Sequence, residues 1–475
     1  MARTLETLPI PTGERILDLL PRLRWALAGN GPALLPVPED DDTEAARLAT
    51  SLAAGAGLAA VEDDPDDPTV LVLATSGSTG ASKGALLPAS ALAASAEATR
   101  RRLSCIGPRA GTGHSAGAGN WLLTLPAHHI AGMQVLLRSI ALGTEPVVMD
   151  TRPRFSTETF TAAVGRMAPG PRFTSLVPTQ LHRILADPDA TTALTTFTAV
   201  LLGGAATPQA LLDDAEQAGA RVVTTYGMSE TCGGCVYDGT PLAGVQVAID
   251  RERDPSRRTG GSTTGGPDDS GGPDDSGGPD DSGGPGGPRR HPAGAHRGAS
   301  DPPRPARAGR VSITGPVVAR GYRDLPGHPA FVRNPATGDR TFLTSDLAVT
   351  AAGRMRIVGR VDEVIVTGGI KVDPALVESV LMRVTGVADI IVTGVPDPEW
   401  GTAVVAVVRA GPGRPPDLDA LRRAATYAHG PAAAPRYLVL VADLPRRGPG
   451  KPDRTAVRNL AVSELAGRLA GRKWP

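Results

Sequence analysis

The run Thr75-Ser76-Gly77-Ser78-Thr79-Gly80-Ala81-Ser82-Lys83-Gly84 gathers hydroxyls, glycines and one cation within ten residues. Glycines let backbone N–H groups turn inward on an anion, the hydroxyls add donors, and Lys83 adds charge. The chemistry this equips is the binding of a polyphosphate. The spacing is not that of the P-loop, where Lys directly follows the second Gly of Gly-x4-Gly; here Lys83 comes three residues after Gly80 and directly before Gly84. A strand is expected in front of the run, over 70–74, and a helix behind it, over 88–103. Such tight flanks suit a positioned loop better than a flexible linker.

Two other constellations invite a chemical interpretation. Cys232 and Cys235 are spaced Cys-x-x-Cys, but no second pair completes a zinc site, so packing is the expected role. His128 and His129 follow a strand-like run over 121–125. Neighbouring residues at a strand end point to opposite faces, which argues against a shared metal ion.

The elements that must position these residues alternate regularly. Strands are expected over 121–125, 145–149, 172–177, 197–202 and 221–225. Helices are expected between them, over 131–142, 157–167, 179–186 and 208–218. The strands are short, continuous and apolar, as in a buried parallel sheet, so the class is α/β with ligand loops at the strand C-termini. A new pattern begins after about residue 360. Helices over 374–384, 418–427 and 454–467 and strands over 389–395, 402–409 and 437–441 predict a small α+β unit.

Between these parts, Gly-Gly-Pro-Asp-Asp-Ser occurs three times in tandem from Gly265 to Ser282. A segment this poor in apolar residues cannot offset its ordering entropy, so 251–308 is expected to be a disordered insertion. Strand-like runs at 245–249 and 309–313 flank it, and it is expected to lengthen a surface hairpin, which costs little closure entropy.

The chain has 475 residues, enough for two or three domains. Apolar residues make up 41% and charged residues 21%, as in a globular protein. The formal net charge is zero, without the basic footprint of a dedicated nucleic-acid binder. Three cysteines make no disulfide framework, so a reducing, cytoplasmic setting is expected. Arg3, Glu6, Glu14 and Arg15 stand where a signal peptide would be apolar, and no run of 18 apolar residues predicts a membrane span.

The glycine-rich run resembles the phosphate-binding signature of the adenylate-forming superfamily, which comprises acyl- and aryl-CoA ligases, peptide-synthetase adenylation domains and luciferases. Further matches follow in the family's order: Gly203-Gly204-Ala205, Tyr226-Gly227-Met228-Ser229-Glu230-Thr231, Ser345-Asp346, Gly359-Arg360-Val361-Asp362, Gly368-Gly369-Ile370-Lys371-Val372, and Pro445-Arg446 through Gly450-Lys451. The likeness spans nearly the whole chain apart from the insertion and the N-terminal segment.

The resemblance implies an ATP-dependent ligase with Mg²⁺ that forms an acyl-adenylate and passes the acyl group to CoA. Such an enzyme brings two anions together, a carboxylate and the α-phosphate, and must offset their repulsion with cations and directed donors. By resemblance, Thr75, Ser76, Gly77, Ser78, Thr79, Gly80 and Lys83 hold the phosphates. Gly203, Gly204 and Ala205 contact the adenine, and Tyr226, Gly227 and Ser229 complete the nucleotide site. Glu230 holds Mg²⁺, Asp346 accepts from the ribose hydroxyls, and Arg360 assists at ribose or phosphate. Lys451 bridges the carboxylate and the α-phosphate. Gly368 and Gly369 let the backbone approach the pantetheine arm of CoA. His129, in a Pro-x-x-His-x-x-Gly pattern, lies near the acyl pocket. Asp362 is the hinge of a small, mobile C-terminal domain. The implied layout is an ATP- and acid-binding domain over 1–358, a hinge over 359–362 and a mobile domain over 363–475.

Residues 125–136 and 447–454, together with the short stretch before the phosphate loop, are similar to short o-succinylbenzoate–CoA ligases of menaquinone biosynthesis. Their substrate is an aromatic dianion, so a cationic or polar group should meet its distal carboxylate; Arg138 and Arg183 are the candidates. A benzoate or fatty-acid ligase, an amino-acid adenylation domain and a non-catalytic nucleotide-binding scaffold stay open, as does assembly into a homo-oligomer.

Overall fold

The computed structural model describes residues 2–75, 82–106, 119–152, 154–250, 308–447 and 451–469. Ser76, Gly77, Ser78, Thr79 and Gly80 of the expected phosphate loop, and the 251–307 stretch of the expected insertion, lie outside the described residues.

The first sheet holds β1 (Leu5–Ile10), β2 (Ala33–Pro38), β3 (Thr69–Thr75) and β4 (Lys83–Pro88), in that order. Helices α1 (Leu20–Leu27) and α2 (Asp42–Ser51) make the crossovers of its parallel part. Val70, Leu71, Val72 and Leu73 are all buried, which is why β3 reads as an unbroken apolar run. Sequence reasoning expects a helix over 88–103 behind the phosphate loop, and α3 (Ala89–Ser104) stands there. Between them lies a strand that it does not foresee: β4 returns antiparallel on β3, with Thr75 opposite Lys83. Residues 320–323 explain the extra strand, because they pair with the other edge of β4. Leu86 N–H donates to the Gly321 carbonyl at 3.0 Å, and Arg320 N–H to the Leu86 carbonyl at 2.8 Å. Flanked on both edges, the Gly84–Pro88 backbone is satisfied without a helix.

The second sheet carries the expected alternation. In chain order it contains β5 (Asn120–Leu123), α4 (Ile130–Leu142), β6 (Val147–Val148), α5 (Thr157–Gly165), β7 (Arg172–Leu176), α6 (Pro178–Leu185), α7 (Pro188–Thr195), β8 (Ala199–Leu202), α8 (Gln209–Gln217), β9 (Val222–Met228), β10 (Gly233–Tyr237) and β11 (Thr240–Pro241). The strand order is β11-β10-β9-β8-β7-β5-β6, parallel from β6 to β9 and antiparallel beyond. Helix α7 is not foreseen by the apolar pattern, yet its start is written locally. Asp187 caps the N–H groups of Asp189 and Ala190, and Pro188 fills the first helical position. β6 is shorter than expected, as befits an edge strand.

The third sheet is antiparallel. β12 (Gln246–Asp250) and β13 (Gly309–Thr314) pair with Asp250 opposite Arg310, so the residues flanking the repeat segment form one ladder. β14 (Phe331–Arg333), β15 (Arg340–Ala351) and β16 (Arg354–Arg360) complete it.

The C-terminal part holds the β17 (Ile365–Thr367) and β18 (Ile370–Val372) hairpin, α9 (Pro374–Leu381), β19 (Val387–Asp397), β20 (Gly401–Ala410), α10 (Leu418–His429), β21 (Tyr437–Val441), the β22 (Arg446–Arg447) and β23 (Lys451–Pro452) hairpin, and α11 (Arg454–Leu469). β20 lies between β19 and β21, and its alternation serves two cores. Val404, Ala406 and Val408 pack with α9 and α10, while Ala403, Val405 and Val407 pack with α11. Among the described residues, no helix is long and apolar enough to cross a membrane.

Candidate active site

The end of β9 and the turn after it carry the Tyr-Gly-Met-Ser-Glu-Thr motif. Thr231 locks the turn: Met228 N–H donates to its Oγ1 at 3.0 Å, and Oγ1 donates to the Gly233 carbonyl at 2.8 Å. Gly227 has to be glycine, because a Cβ there would meet the Gly233 carbonyl oxygen at 2.0 Å. This close return of β10 on β9 places Ser229 and Glu230 in a single 3-10 turn, with Glu230 only 7% exposed. A buried carboxylate requires a donor. Tyr322 supplies one, its hydroxyl donating to Glu230 Oε1 at 2.6 Å. Burial, and then the Glu230 carboxylate, push the Tyr322 phenol well above its usual range, so it remains a donor.

Lys83, at the start of β4, joins the same group. Its ammonium lies 5.1 Å from the centre of the Tyr322 ring and 3.1 Å from His328 Nε2. Thr75 is its partner across the hairpin. The structure thus links two expected residues, Lys83 and Glu230, through two that the motifs do not reveal, Tyr322 and His328. Their signal was weak, since the stretch between β13 and β14 carries no phosphate-like or metal-like spacing.

A second group forms where β9 meets the third sheet. Tyr226 donates to Asp346 Oδ2 at 2.7 Å, and Arg360 donates to Asp346 Oδ1 at 3.0 Å. Arg360 also forks onto both oxygens of Asp362, at 2.9 Å each. Register explains the meeting, because Asp346 on β15 stands opposite Arg360 on β16. Asp346 is 7% exposed. Burial, then the Asp346 charge, raises the Tyr226 phenol well above its usual range. A carboxylate has about four acceptor sites, so Asp346 retains capacity for further hydroxyl donors. Gly203, Gly204 and Ala205 follow β8, where Thr225 Oγ1 of β9 donates to the Leu202 carbonyl at 3.2 Å.

A third, wholly buried seam lies between α3, α4 and β10. Arg138 is 5% exposed, and its guanidinium lies 5.1 Å from the centre of the Trp121 ring. It reaches Thr99 Oγ1 and Tyr237 Oη only at 3.4 Å each, and its Nε has no hydrogen-bond partner among the described residues. One turn earlier, Gln134 Nε2 donates to the Cys232 carbonyl at 2.7 Å while its Oε1 is unpartnered. Arg183, the other candidate for a distal carboxylate, is exposed and donates to the Phe155 carbonyl at 3.4 Å.

His129 is the N-cap residue of α4, without a side-chain cap bond. The two histidines do not point apart as expected: their ring centres are 4.3 Å from each other. They sit in a turn after β5 rather than on the strand, so the alternation of a strand does not apply. Burial lowers the His128 pKa. Among the described residues no cluster of three His, Cys, Asp or Glu side chains could hold a metal ion. Cys232 and Cys235 are buried free thiols, and burial pushes Cys235 up to about 12 and Cys232 higher, as inert packing residues require.

The remaining expected residues lie on the C-terminal part. Gly368 and Gly369 make the two-residue turn of the β17–β18 hairpin, with φ of +54° and +78°. Both signs suit a turn that favours glycine. A Cβ on Gly368 would stand 2.5 Å from the Trp400 ring. Lys451 opens β23 and pairs with Arg447.

The family model described as "AMP-binding enzyme" matches residues 23–267, and "AMP-binding enzyme C-terminal domain" matches residues 376–451. The protein of Mycobacterium tuberculosis (strain CDC 1551 / Oshkosh) named "Probable 2-succinylbenzoate–CoA ligase" is 37% identical over 457 residues, covering 95% of this chain and 97% of that one. The "Medium/long-chain-fatty-acid–CoA ligase FadD8" of strain H37Rv is 38% identical over only 36% of this chain and 30% of its own. Among solved structures, o-succinylbenzoate CoA synthetase from Bacillus subtilis, in complex with its acyl-adenylate intermediate, superposes with a TM-score of 0.64. At 20% identity over 96% of this chain and 88% of that one, it shows a common fold, with a large N-terminal and a small C-terminal domain. The chain is a member of the AMP-binding enzyme family.

Proposed function

We propose that this chain is an AMP-forming 2-succinylbenzoate–CoA ligase that acts in menaquinone biosynthesis. The acid's carboxylate attacks the α-phosphorus of ATP, forming an acyl–phosphate bond as pyrophosphate leaves. The CoA thiolate then attacks the acyl carbon, forming the thioester as AMP leaves. Lys83 and the loop before it receive the polyphosphate. Asp346, poised by Tyr226 and Arg360, accepts the ribose hydroxyls, and Lys451 bridges carboxylate and α-phosphate. Glu230 would hold Mg²⁺. The fit is chemical: the ion prefers oxygen ligands, commonly takes one or two carboxylates, and draws the rest of its shell from phosphates and water. Bound there, the ion would supply positive charge against the developing anions.

The observation that carries the choice of acid is Arg138. A buried guanidinium without a carboxylate partner among the described residues is costly unless something anionic meets it. A dianionic acid brings a second carboxylate, whereas a fatty acid or benzoate does not. The near full-length likeness to a relative named for that acid, against partial likeness to a fatty-acid ligase, supports the same choice. Arg183, on the surface, fits this task poorly.

The domain arrangement belongs to the same proposal. Residues 1–358 bind ATP and acid, 359–362 form the hinge, and 363–475 move to bring Gly368 and Gly369 toward the pantetheine arm. The enzyme works on small molecules in the cytoplasm. Acid-dependent exchange of labelled pyrophosphate into ATP tests the choice of acid. 2-Succinylbenzoate should exceed benzoate, decanoate and amino acids by at least about tenfold, the scale set by one lost charge-assisted contact. Equal exchange with benzoate would overturn it.

A further inference from the structure

The stretch 319–330 carries none of the recognised motifs, yet it is the wall against which two of them rest. Its backbone is fixed along β4. Arg323 N–H donates to the Gly84 carbonyl at 2.8 Å, and Tyr322 bridges Ala85. Arg323 forms a buried ion pair with Glu62, which anchors the stretch to the turn between α2 and β3. Ala319 N–H donates to the Glu230 carbonyl at 2.8 Å, so the wall grips the backbone of Glu230 as well as its carboxylate.

From this wall two rings project. Tyr322 is held edge-on between His328, at 4.9 Å and 89°, and Phe331, at 5.0 Å and 82°. Its hydroxyl is tied to Glu230 and its ring lies against the Lys83 ammonium. His328 Nδ1 accepts from Ala330 N–H at 3.2 Å, while Nε2 faces Lys83 Nζ at 3.1 Å.

We propose that Tyr322 and His328 are positioning residues for the adenylate-forming half-reaction: they hold the Lys83 ammonium and the Glu230 carboxylate in a fixed mutual arrangement before ATP arrives. The proposal rests on the ligase function above. A lysine has a long stem with several rotatable bonds, and ordering it on ligand binding costs affinity that a prior resting place saves. A cation against a tyrosine face supplies that resting place. The His328 contact is also one that Lys83 can leave cheaply. A neutral ring that accepts at Nδ1 carries its proton on Nε2, and an ammonium is a donor only. The bonds to Ala330 and to Lys83 therefore compete, and phosphate oxygens, which accept without competition, draw Lys83 away.

Three variants test this without emptying the core. His328 is half-buried, so His328→Ala should fold; His328→Gln restores a neutral acceptor. Two rates are measured: acid-dependent pyrophosphate–ATP exchange, and thioester formation from supplied 2-succinylbenzoyl-adenylate and CoA, which bypasses the polyphosphate. His328→Ala should raise the KM for ATP about fivefold in exchange and leave the second rate within twofold, and His328→Gln should recover most of the loss. Tyr322→Phe, which keeps the ring, should leave the ATP KM near normal and raise the Mg²⁺ concentration needed for half-maximal exchange several-fold. Unchanged exchange in His328→Ala, or an equal fall in both rates, would overturn the inference while leaving the ligase intact. Absence of exchange by the unaltered protein with every acid would remove the ligase function and this inference together.

Discussion

Tyr226 and Asp346, 120 residues apart, meet at 2.7 Å and join the second sheet to the third. Asp346 in turn holds Arg360, and Arg360 holds Asp362, so four residues from three separate motifs form one hydrogen-bonded line. The line begins at the strand after which Glu230 lies and ends at the proposed hinge.

Removing the phenol should break the line at its start. Tyr226→Phe leaves one lobe of a buried carboxylate without its donor, a loss of about 1–3 kcal/mol in such settings. Urea unfolding should show that loss, and the KM for ATP should rise several-fold if Asp346 has its proposed role at the ribose. An unchanged KM with lowered stability would leave the line a purely structural one.

Arg138 predicts the opposite combination. Replacing a buried, incompletely paired charge with an apolar side chain of similar length is often neutral or stabilising, by about 1–4 kcal/mol. Arg138→Met should therefore keep or raise the unfolding midpoint while raising the KM for 2-succinylbenzoate at least about tenfold, with the KM for ATP within twofold. Equal affinity for the acid in the variant would remove Arg138 from the acid site.

Asp373 caps α9 by accepting from Ala375 N–H at 2.9 Å, and burial pushes its pKa up to about 6. The folded state thus favours the protonated acid. Its stabilising effect is complete below the unfolded value of 3.8 and is lost as pH rises toward about 6. Asp373→Asn keeps the capping oxygen and removes the titration. Urea unfolding should find the variant about 1 kcal/mol more stable at pH 8, once screening by water is allowed for, and no more stable at pH 3.5. A constant difference between the two pH values would contradict this account.

A substitution at Gly368 should separate the two half-reactions, given its proposed place near the pantetheine arm. Alanine there must adopt a φ of +54° and press its Cβ on the Trp400 ring, which deforms the hairpin. Gly368→Ala should slow thioester formation about tenfold and leave pyrophosphate exchange within twofold, on a barrier change of about 1.4 kcal/mol. Stopped-flow and exchange assays on one preparation compare the two; a slower exchange with normal thioester formation would reverse the assignment.

The alternation of strands and helices was legible because buried parallel strands are continuous apolar runs, as in Val70–Leu73 and Ala199–Leu202. Tyr226, Glu230, Asp346 and Arg360 were legible because each sits in a short motif whose order is informative. What escaped depends on pairing between distant segments. Nothing local in Gly84–Pro88 announces a strand, since its second edge is satisfied by residues 320–323. Tyr322 and His328 escaped for the same reason: their partners, Glu230 and Lys83, are 92 and 245 residues away. The histidine pair was misjudged because a turn, not a strand, carries it. Helix α7 was the avoidable omission, as Asp187-Pro188 is a helix-start signal in its own right.

Mass spectrometry of products decides whether the chain is a 2-succinylbenzoate–CoA ligase. The purified chain is incubated with ATP, Mg²⁺, CoA and 2-succinylbenzoate, and parallel reactions contain benzoate, decanoate or amino acids. A 2-succinylbenzoate–CoA ligase should yield a CoA thioester of 2-succinylbenzoate with AMP formed in equal amount, and little or none from the other acids. A thioester formed preferentially from one of the others, or AMP from none of them, would contradict that function.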